Sequence, residues 1–391
     1  MKTIWKYEKI KTLILENDKS KIQVQEALNS GDYPFFTSGD KILSYNKWLV
    51  DDENIFLSTG GVAGINYFKG KCAYSTDTYS VKGKNINTKL LYYLISKMID
   101  RINNIYFQGT GLKHLQKKGF KNIKLKIPSE TYIQDKIADI LSLVDNNIEQ
   151  TKKVIEKAEK LKKYMMQNLL TGRMKPDGTY RNKDEIEEVE VEKVPMKPLQ
   201  KFLKFKKPKS WEFTSLTNII EFIYGSALGE DNVVKGNYPV YGSNGINSWH
   251  NEFLVKAPGI IVGRKGTVGS ITWADKDFFP IDTTYYVKTK ENLNLRWVHY
   301  ILDLCDLVRL NAATGVPGLN RKDALSMYVF KPSRNEQDEI VNLIENFHNK
   351  IDTNKQKLKT LEKLKKSLMQ NLLTGKIEIP EILTIKRGVV I

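Results

Sequence analysis

The sequence is poor in the residues that carry chemistry. Its 391 residues hold two cysteines, Cys72 and Cys305, and four histidines, His114, His250, His299 and His348. Two distant cysteines argue against a disulfide scaffold and for a reducing, cytoplasmic setting. The histidines are scattered and form no ligand pair, so no bound metal is expected. No long uncharged apolar run occurs, so neither a transmembrane helix nor a membrane partner is expected. The opening Met1-Lys2-Thr3-Ile4-Trp5-Lys6 has no apolar core of a signal peptide. A phosphate loop is missing: Gly64 to Gly70-Lys71 has the wrong spacing, and Cys72 stands where Ser or Thr would hold magnesium. There is no Asn-Pro-Pro-aromatic run and no dinucleotide fingerprint. Pro176-Asp177 lacks the Glu-x-Lys that a nuclease core would want. These absences argue against catalysis without disproving it, because some sites leave no short signature.

What is present is charge and repetition. Sixty-two Lys and Arg against 45 Asp and Glu leave a net charge of +17, which fits a polyanion partner. Apolar residues at 41% and aromatics at 10% suffice for packed cores. The length allows two or three domains. The segment from Leu161 to Gly172 recurs from Leu364 to Gly375, with ten of twelve positions identical at an offset of 203. The match runs upstream without a gap to Gln134-Asp135 and Gln337-Asp338. Looser pairs extend it: Trp5 with Trp211, Gly31-Asp32-Tyr33-Pro34 with Gly236-Asn237-Tyr238-Pro239, and Asp77-Thr78 with Asp282-Thr283. Each half is one globular domain followed by one better-matched segment.

That segment reads as a long amphipathic helix. Ile137, Val144, Thr151, Ala158 and Met165 fall seven apart, beside Leu141, Ile148, Ile155 and Leu169, a row broken by Lys162. The second copy gives Ile340, Phe347, Asn354, Leu361 and Leu368, beside Ile344, Ile351, Leu358, Lys365 and Leu372. No proline interrupts either stretch, and Gly172 and Gly375 stand where a helix ends. Sustained heptads predict a coiled coil in which the two helices pair. The competing reading packs each helix on its own domain. His348, beside the seam, needs no special role.

The globular parts read as α+β. Asn54–Ser58, Gly259–Gly263, Ser270–Trp273 and Thr284–Val287 have strand character; Leu90–Ile95 and Trp297–Leu302 read as helices. The predicted boundaries are 1–129 and 199–332 for the domains, and 130–172 and 333–375 for the long helices. A linker at 173–198 and a tail at 376–391 complete the chain. The linker's centre, Asp184 to Glu192, carries six acids and no base and is expected to be solvated and partly flexible. Lys197, Lys201, Lys204, Lys206, Lys207 and Lys209 follow it and could touch phosphate.

Binding features recur at matching places. A glycine-rich tip, Gly263 to Gly269, presents Arg264, Lys265 and Thr267; its counterpart, Ser58 to Gly64, offers Ser58 and Thr59 instead. The polar loop Thr37 to Lys41, with Ser38 and Lys41, matches Gly242 to Gly245, with Ser243 and Asn244; Thr76 to Tyr79, with Thr76 and Thr78, matches Ile281 to Tyr285, with Thr283 and Thr284. Lys113 in the first half, and Asn320, Arg321 and Lys322 in Gly315 to Lys322 of the second, add further polar and basic groups. These are the candidate DNA contacts. The same loop with different chemistry is what two readers of different sequences would show.

These features resemble the specificity subunit of Type I restriction-modification enzymes. The resemblance rests on Pro128-Ser129 with Gln134, Pro332-Ser333 with Gln337, and the two Leu-Leu-Thr-Gly exits. It rests also on Gly236-Asn237-Tyr238-Pro239-Val240-Tyr241-Gly242-Ser243-Asn244-Gly245, on Arg264 to Gly269 and on Val316 to Lys322. It covers essentially the whole chain; the first domain departs most, lacking the basic tip and the Pro-Gly-Leu-Asn-Arg run. It implies two target recognition domains, separated by two helices in an antiparallel coiled coil, each reading half of a split site on double-stranded DNA. Coil length would set the unread spacer. It implies two modification subunits, which bind S-adenosylmethionine and methylate adenine, and restriction subunits that use ATP and magnesium. This chain would bind no cofactor and have no active site. The alternatives are a stand-alone tandem DNA-binding regulator, an enzyme acting alone, and a coiled-coil adaptor.

Overall fold

The computed structural model describes residues 4–191, 203–229, 234–310 and 318–377. They divide into two units: residues 1–153 with 355–391, and residues 154–354. The boundary cuts both long helices, Thr131–Leu170 and Arg334–Leu372, so each unit contains half of each.

In the first unit a six-stranded sheet runs Ile14–Glu16, Thr78–Gly83, Val50–Ser58, Ile65–Tyr74, Tyr33–Phe36, Leu43–Tyr45. All neighbours are antiparallel except Tyr33–Phe36 beside Ile65–Tyr74. The second unit repeats the plan as two sheets. One runs Ile220–Tyr224, Thr284–Thr289, Gly259–Gly263, Ile271–Ala274; the other runs Gly245–His250, Tyr238–Gly242, Phe279–Pro280. The difference has a local cause. Ile65–Tyr74 is long enough to pair on both its edges, whereas its counterpart breaks between Ala274 and Phe279.

One helix-to-domain joint is built twice. Gln134 donates to Pro128 O (2.9 Å) and accepts from Asn87 N (3.0 Å); Gln337 donates to Pro332 O (3.0 Å) and accepts from Asn294 N (2.9 Å). Both glutamines are buried, and both of those asparagines cap the next helix, Thr88–Ser96 or Leu295–Leu304. An unpaired buried amide is costly, so this geometry needs Gln at both positions. Asp135 and Asp338 each accept from the same asparagine.

The two readings of the long helices prove compatible. In the first unit Ile133, Ile137 and Leu141 share one core with Leu372 and Leu373 and with the sheet. In the second, Leu169 and Leu170 share a core with Ile340, Val341 and Ile344. Within each unit the start of one helix therefore meets the end of the other, which is antiparallel pairing. The lysines that break the apolar rows are partnered at equivalent places: Lys365 with Asp145 (2.6 Å), and Lys162 with His348 Nδ1 (2.9 Å). His348 thus has a cross-helix role that its sequence position did not indicate. Thr151 and Asn354 bond back to carbonyls of their own helices.

The expected solvated linker is corrected in part. Ile186–Val191 is a strand, antiparallel to Leu203–Pro208, with Glu187, Glu188 and Glu190 opposite Lys207, Lys206 and Lys204. Opposite charges facing across strands favour this pairing. Lys207 is itself buried, bonded to Trp211 O (2.6 Å) and paired with Glu187, so it is not available to phosphate. Lys197 and Lys201 lie outside the described residues, as does most of the tail at 376–391.

Beside the second joint, Arg296 lies over Trp273 at 4.4 Å and bonds Glu345 at 2.8 Å. Burial alone would raise the Glu345 carboxyl, but the bonds from Arg296 and Tyr300 hold it below the ordinary carboxylate value. Burial, helped by the charges of Arg296 and Lys162, pushes the neighbouring His299 imidazole down to about 4, against the opposing pull of Glu345. A histidine with a lowered folded pKa stabilises fully above its ordinary 6.5, and that contribution fades as pH falls toward 4. Acidification from 6.5 to about 5, before most carboxylates titrate, should therefore weaken the second unit. His299→Tyr, the residue standing at Tyr92 in the first half, should flatten that slope in denaturant titrations; an unchanged slope would place its origin elsewhere.

Candidate nucleic-acid interface

In each unit the candidate loops converge on the same hydrogen-bond frame. Thr59 Oγ1 donates to Asp77 O at 2.6 Å; at the matching place Arg264 donates to Asp282 O through Nε (2.9 Å) and Nη2 (2.6 Å). The carbonyl of Thr59 accepts from Leu115 N, and that of Arg264 from Leu319 N. The carbonyl of Ser38 accepts from Ser58 Oγ, and that of Ser243 from Ser270 Oγ. One scaffold thus holds two different side chains in one seat.

The tip in the second unit is fixed from both ends. Thr267 N donates to Ser243 Oγ, and Lys265 N to Thr283 O. Gly269 has φ +76°, and a Cβ there would come within 2.5 Å of the Leu307 and Val308 backbone. Arg264, Lys265, Thr267, Ser243 and Thr283 are brought together here, with Asn244 exposed on the adjoining turn. Gly315 to Pro317 lie outside the described residues, but Gly318 bridges to Lys265.

Burial sorts the candidates. Ser58, Thr78 and Thr284 are buried, their hydroxyls donating to Ser38 O, Phe36 O and Ile281 O; they shape the loops and do not present a hydroxyl outward. Ser38 donates to Asp77 O and accepts from Thr59 N, again holding the frame. Thr76 turns to Gln23 (3.2 Å). The Asn320 side chain caps the short helix Arg321–Leu325. Lys41, Lys113, Lys265 and Lys322 are exposed. Lys322 and Arg321 also line a recess with Lys290, Thr217 and Glu221.

The sequence reading missed Tyr224. Its ring, half exposed, lies 5.5 Å from the Arg264 guanidinium and 5.3 Å from that of Arg321. Only strand register, Tyr224 opposite Tyr285, carries it there. His114 was likewise unassigned; it bridges to Gly60 in the first tip. Among the described residues no cluster of three or more His, Cys, Asp or Glu is placed to hold a metal ion, and no helix is long and apolar enough to cross a membrane.

The family model for the Type I restriction modification DNA specificity domain matches this chain twice, over residues 4–160 and 208–363. Among curated proteins, the Type I restriction enzyme MjaVIII specificity subunit of Methanocaldococcus jannaschii is 26% identical, covering 94% of this chain and 91% of its own. The EcoDI specificity subunit of Escherichia coli is 24% identical over 89% of this chain and 82% of its own. Among solved structures, the S subunit of a Type I restriction-modification system from M. genitalium superposes with a TM-score of 0.69 at 17% identity, covering 95% of this chain and 96% of that one. With the doubled scaffold, the paired long helices and a family match spanning most of the sequence, the chain belongs to the DNA specificity subunits of Type I restriction-modification enzymes.

Proposed function

We propose that this chain reads a bipartite DNA site, one half with each domain, and carries the reading to two modification subunits without performing chemistry itself. The observation that supports this most is the shared seat: equivalent carbonyls, Asp77 O and Asp282 O, hold Thr59 in one domain and Arg264 in the other. A constant frame with exchanged side chains suits two readers of different base sequences. Lys41 and Lys113 in the first domain, and Lys265 and Lys322 in the second, are exposed, which suits them to contact phosphate. S-adenosylmethionine would belong to the modification subunits, and ATP and magnesium to restriction subunits where these join. The length of the long helices would govern how many base pairs between the half-sites go unread.

Methylome sequencing of cells carrying this protein with its modification partner tests the reading. The expected result is an adenine-methylated motif split by a fixed gap. An unsplit motif, or methylation independent of this chain, would overturn it.

A further inference from the structure

We infer that Arg264 reads the guanine of one G·C pair in the half-site of the second domain, and that Tyr224 is the residue that positions it. The inference rests on the bipartite reading above and deepens it by naming a base.

A guanidinium carries five N–H donors in a plane. In Arg264 the side edge, Nε with one Nη2 proton, is already committed to a single acceptor, Asp282 O, at 2.9 and 2.6 Å. What remains is the far end, where Nη1 and Nη2 each still have an N–H. Two parallel donors at that spacing match the adjacent acceptors O6 and N7 of guanine in the major groove. Adenine offers N7 beside an amino donor, thymine one acceptor beside a methyl group, and cytosine an amino donor; none satisfies both.

The fork also has an aromatic neighbour. The ring of Tyr224 lies 5.5 Å from the Arg264 guanidinium, and Tyr285 packs edge-on against that ring, centroids 5.0 Å apart at an interplanar angle of 62°. The Tyr285 hydroxyl is tied to Leu319 O, whose own N–H donates to Arg264 O, so the two rings and the loop backbone form one closed set of contacts. Arg321 also lies over Tyr224, at 5.3 Å, and its Nη1 reaches Phe222 O at 3.4 Å. Two like charges over one ring repel each other, and the ring's electron-rich face offsets part of that repulsion. A phosphate contact would not need a fixed edge, and exposed Lys265 beside it is suited to that task. The first domain supplies the contrast: Thr59 occupies the matching seat, so no guanidinium fork stands there.

The test uses the intact complex in cells and reads the methylated motif base by base. Arg264→Lys keeps the charge but removes the fork. It should relax one guanine in one half-site, with discrimination there falling roughly 10- to 100-fold, while the other half-site is unchanged. Tyr224→Ala should loosen the same position, and Tyr224→Phe, which keeps the ring, should restore it. That rescue separates positioning from folding. Loss of methylation at all sites alike, relaxation at a position other than guanine, or an unaltered motif in Arg264→Lys would each overturn the inference. A wild-type motif that is not split at all would instead sink the bipartite reading, so the two failures are distinguishable.

Discussion

Replacing Trp211 by alanine should destabilise the second unit by about 3–5 kcal/mol, the range for deleting a large buried aromatic. The ring is 1% exposed, and its Nε1–H donates to Glu336 Oε2 at 2.8 Å. Arg181 lies over the ring at 5.3 Å, pairs with Glu336, and donates to Gly172 O and Met174 O. Trp211 thus seats the exit of the first long helix on the opening of the second domain. Trp211→Phe keeps most of the volume and loses only the indole hydrogen bond, so it should lie well inside that range. The matching residue, Trp5, is only half-buried, so Trp5→Ala should perturb the first unit less. Denaturant titration followed by circular dichroism measures all three; equal effects at Trp5 and Trp211 would contradict the burial argument.

Gly172→Ala should follow closely, at about 2–4 kcal/mol, from left-handed strain plus overpacking. Gly172 has φ +71°, and a Cβ there would come within 2.4 Å of the Pro208 ring and 3.2 Å of Trp211. Gly178 isolates the backbone part of that penalty. It has φ +86° with nothing within 4 Å of an added Cβ, so Gly178→Ala should lose only about 1 kcal/mol. Similar midpoint shifts for the two variants would show that the contact with Pro208 is relieved by adjustment. Gly375, with φ +69° and the Trp5 ring 2.6 Å from its added Cβ, shows why the Thr-Gly exit appears twice.

The doubled plan was legible because its joints tolerate little change. Gln134 and Gln337 must satisfy a helix start and a capped turn at once, and Gly172 and Gly375 must lie against indole rings. Positions under such geometry keep their residues in both halves, so alignment finds them. The loops were legible as places but not as roles. Ser58, Thr78 and Thr284 are small hydroxyl residues that suit a buried turn as well as an exposed one, and only the fold shows that they face inward. Tyr224 was invisible because strand register, not sequence proximity, brings it beside Arg264. The strand at Ile186–Val191 was obscured because its partner follows a gap in sequence, and its acids, which are indeed exposed, read as a flexible run until lysines were found opposite them.

That hairpin changes what the net charge means for DNA. Lys204, Lys206 and Lys207 already face carboxylates across the strand pair. A cation neutralised by its own protein gathers no condensed ions from the duplex and displaces none on binding. The salt sensitivity of this chain on DNA is therefore not set by its overall excess of +17. It counts only those lysines and arginines that meet phosphate oxygens in the complex, and Lys207, buried and paired with Glu187, is outside that count.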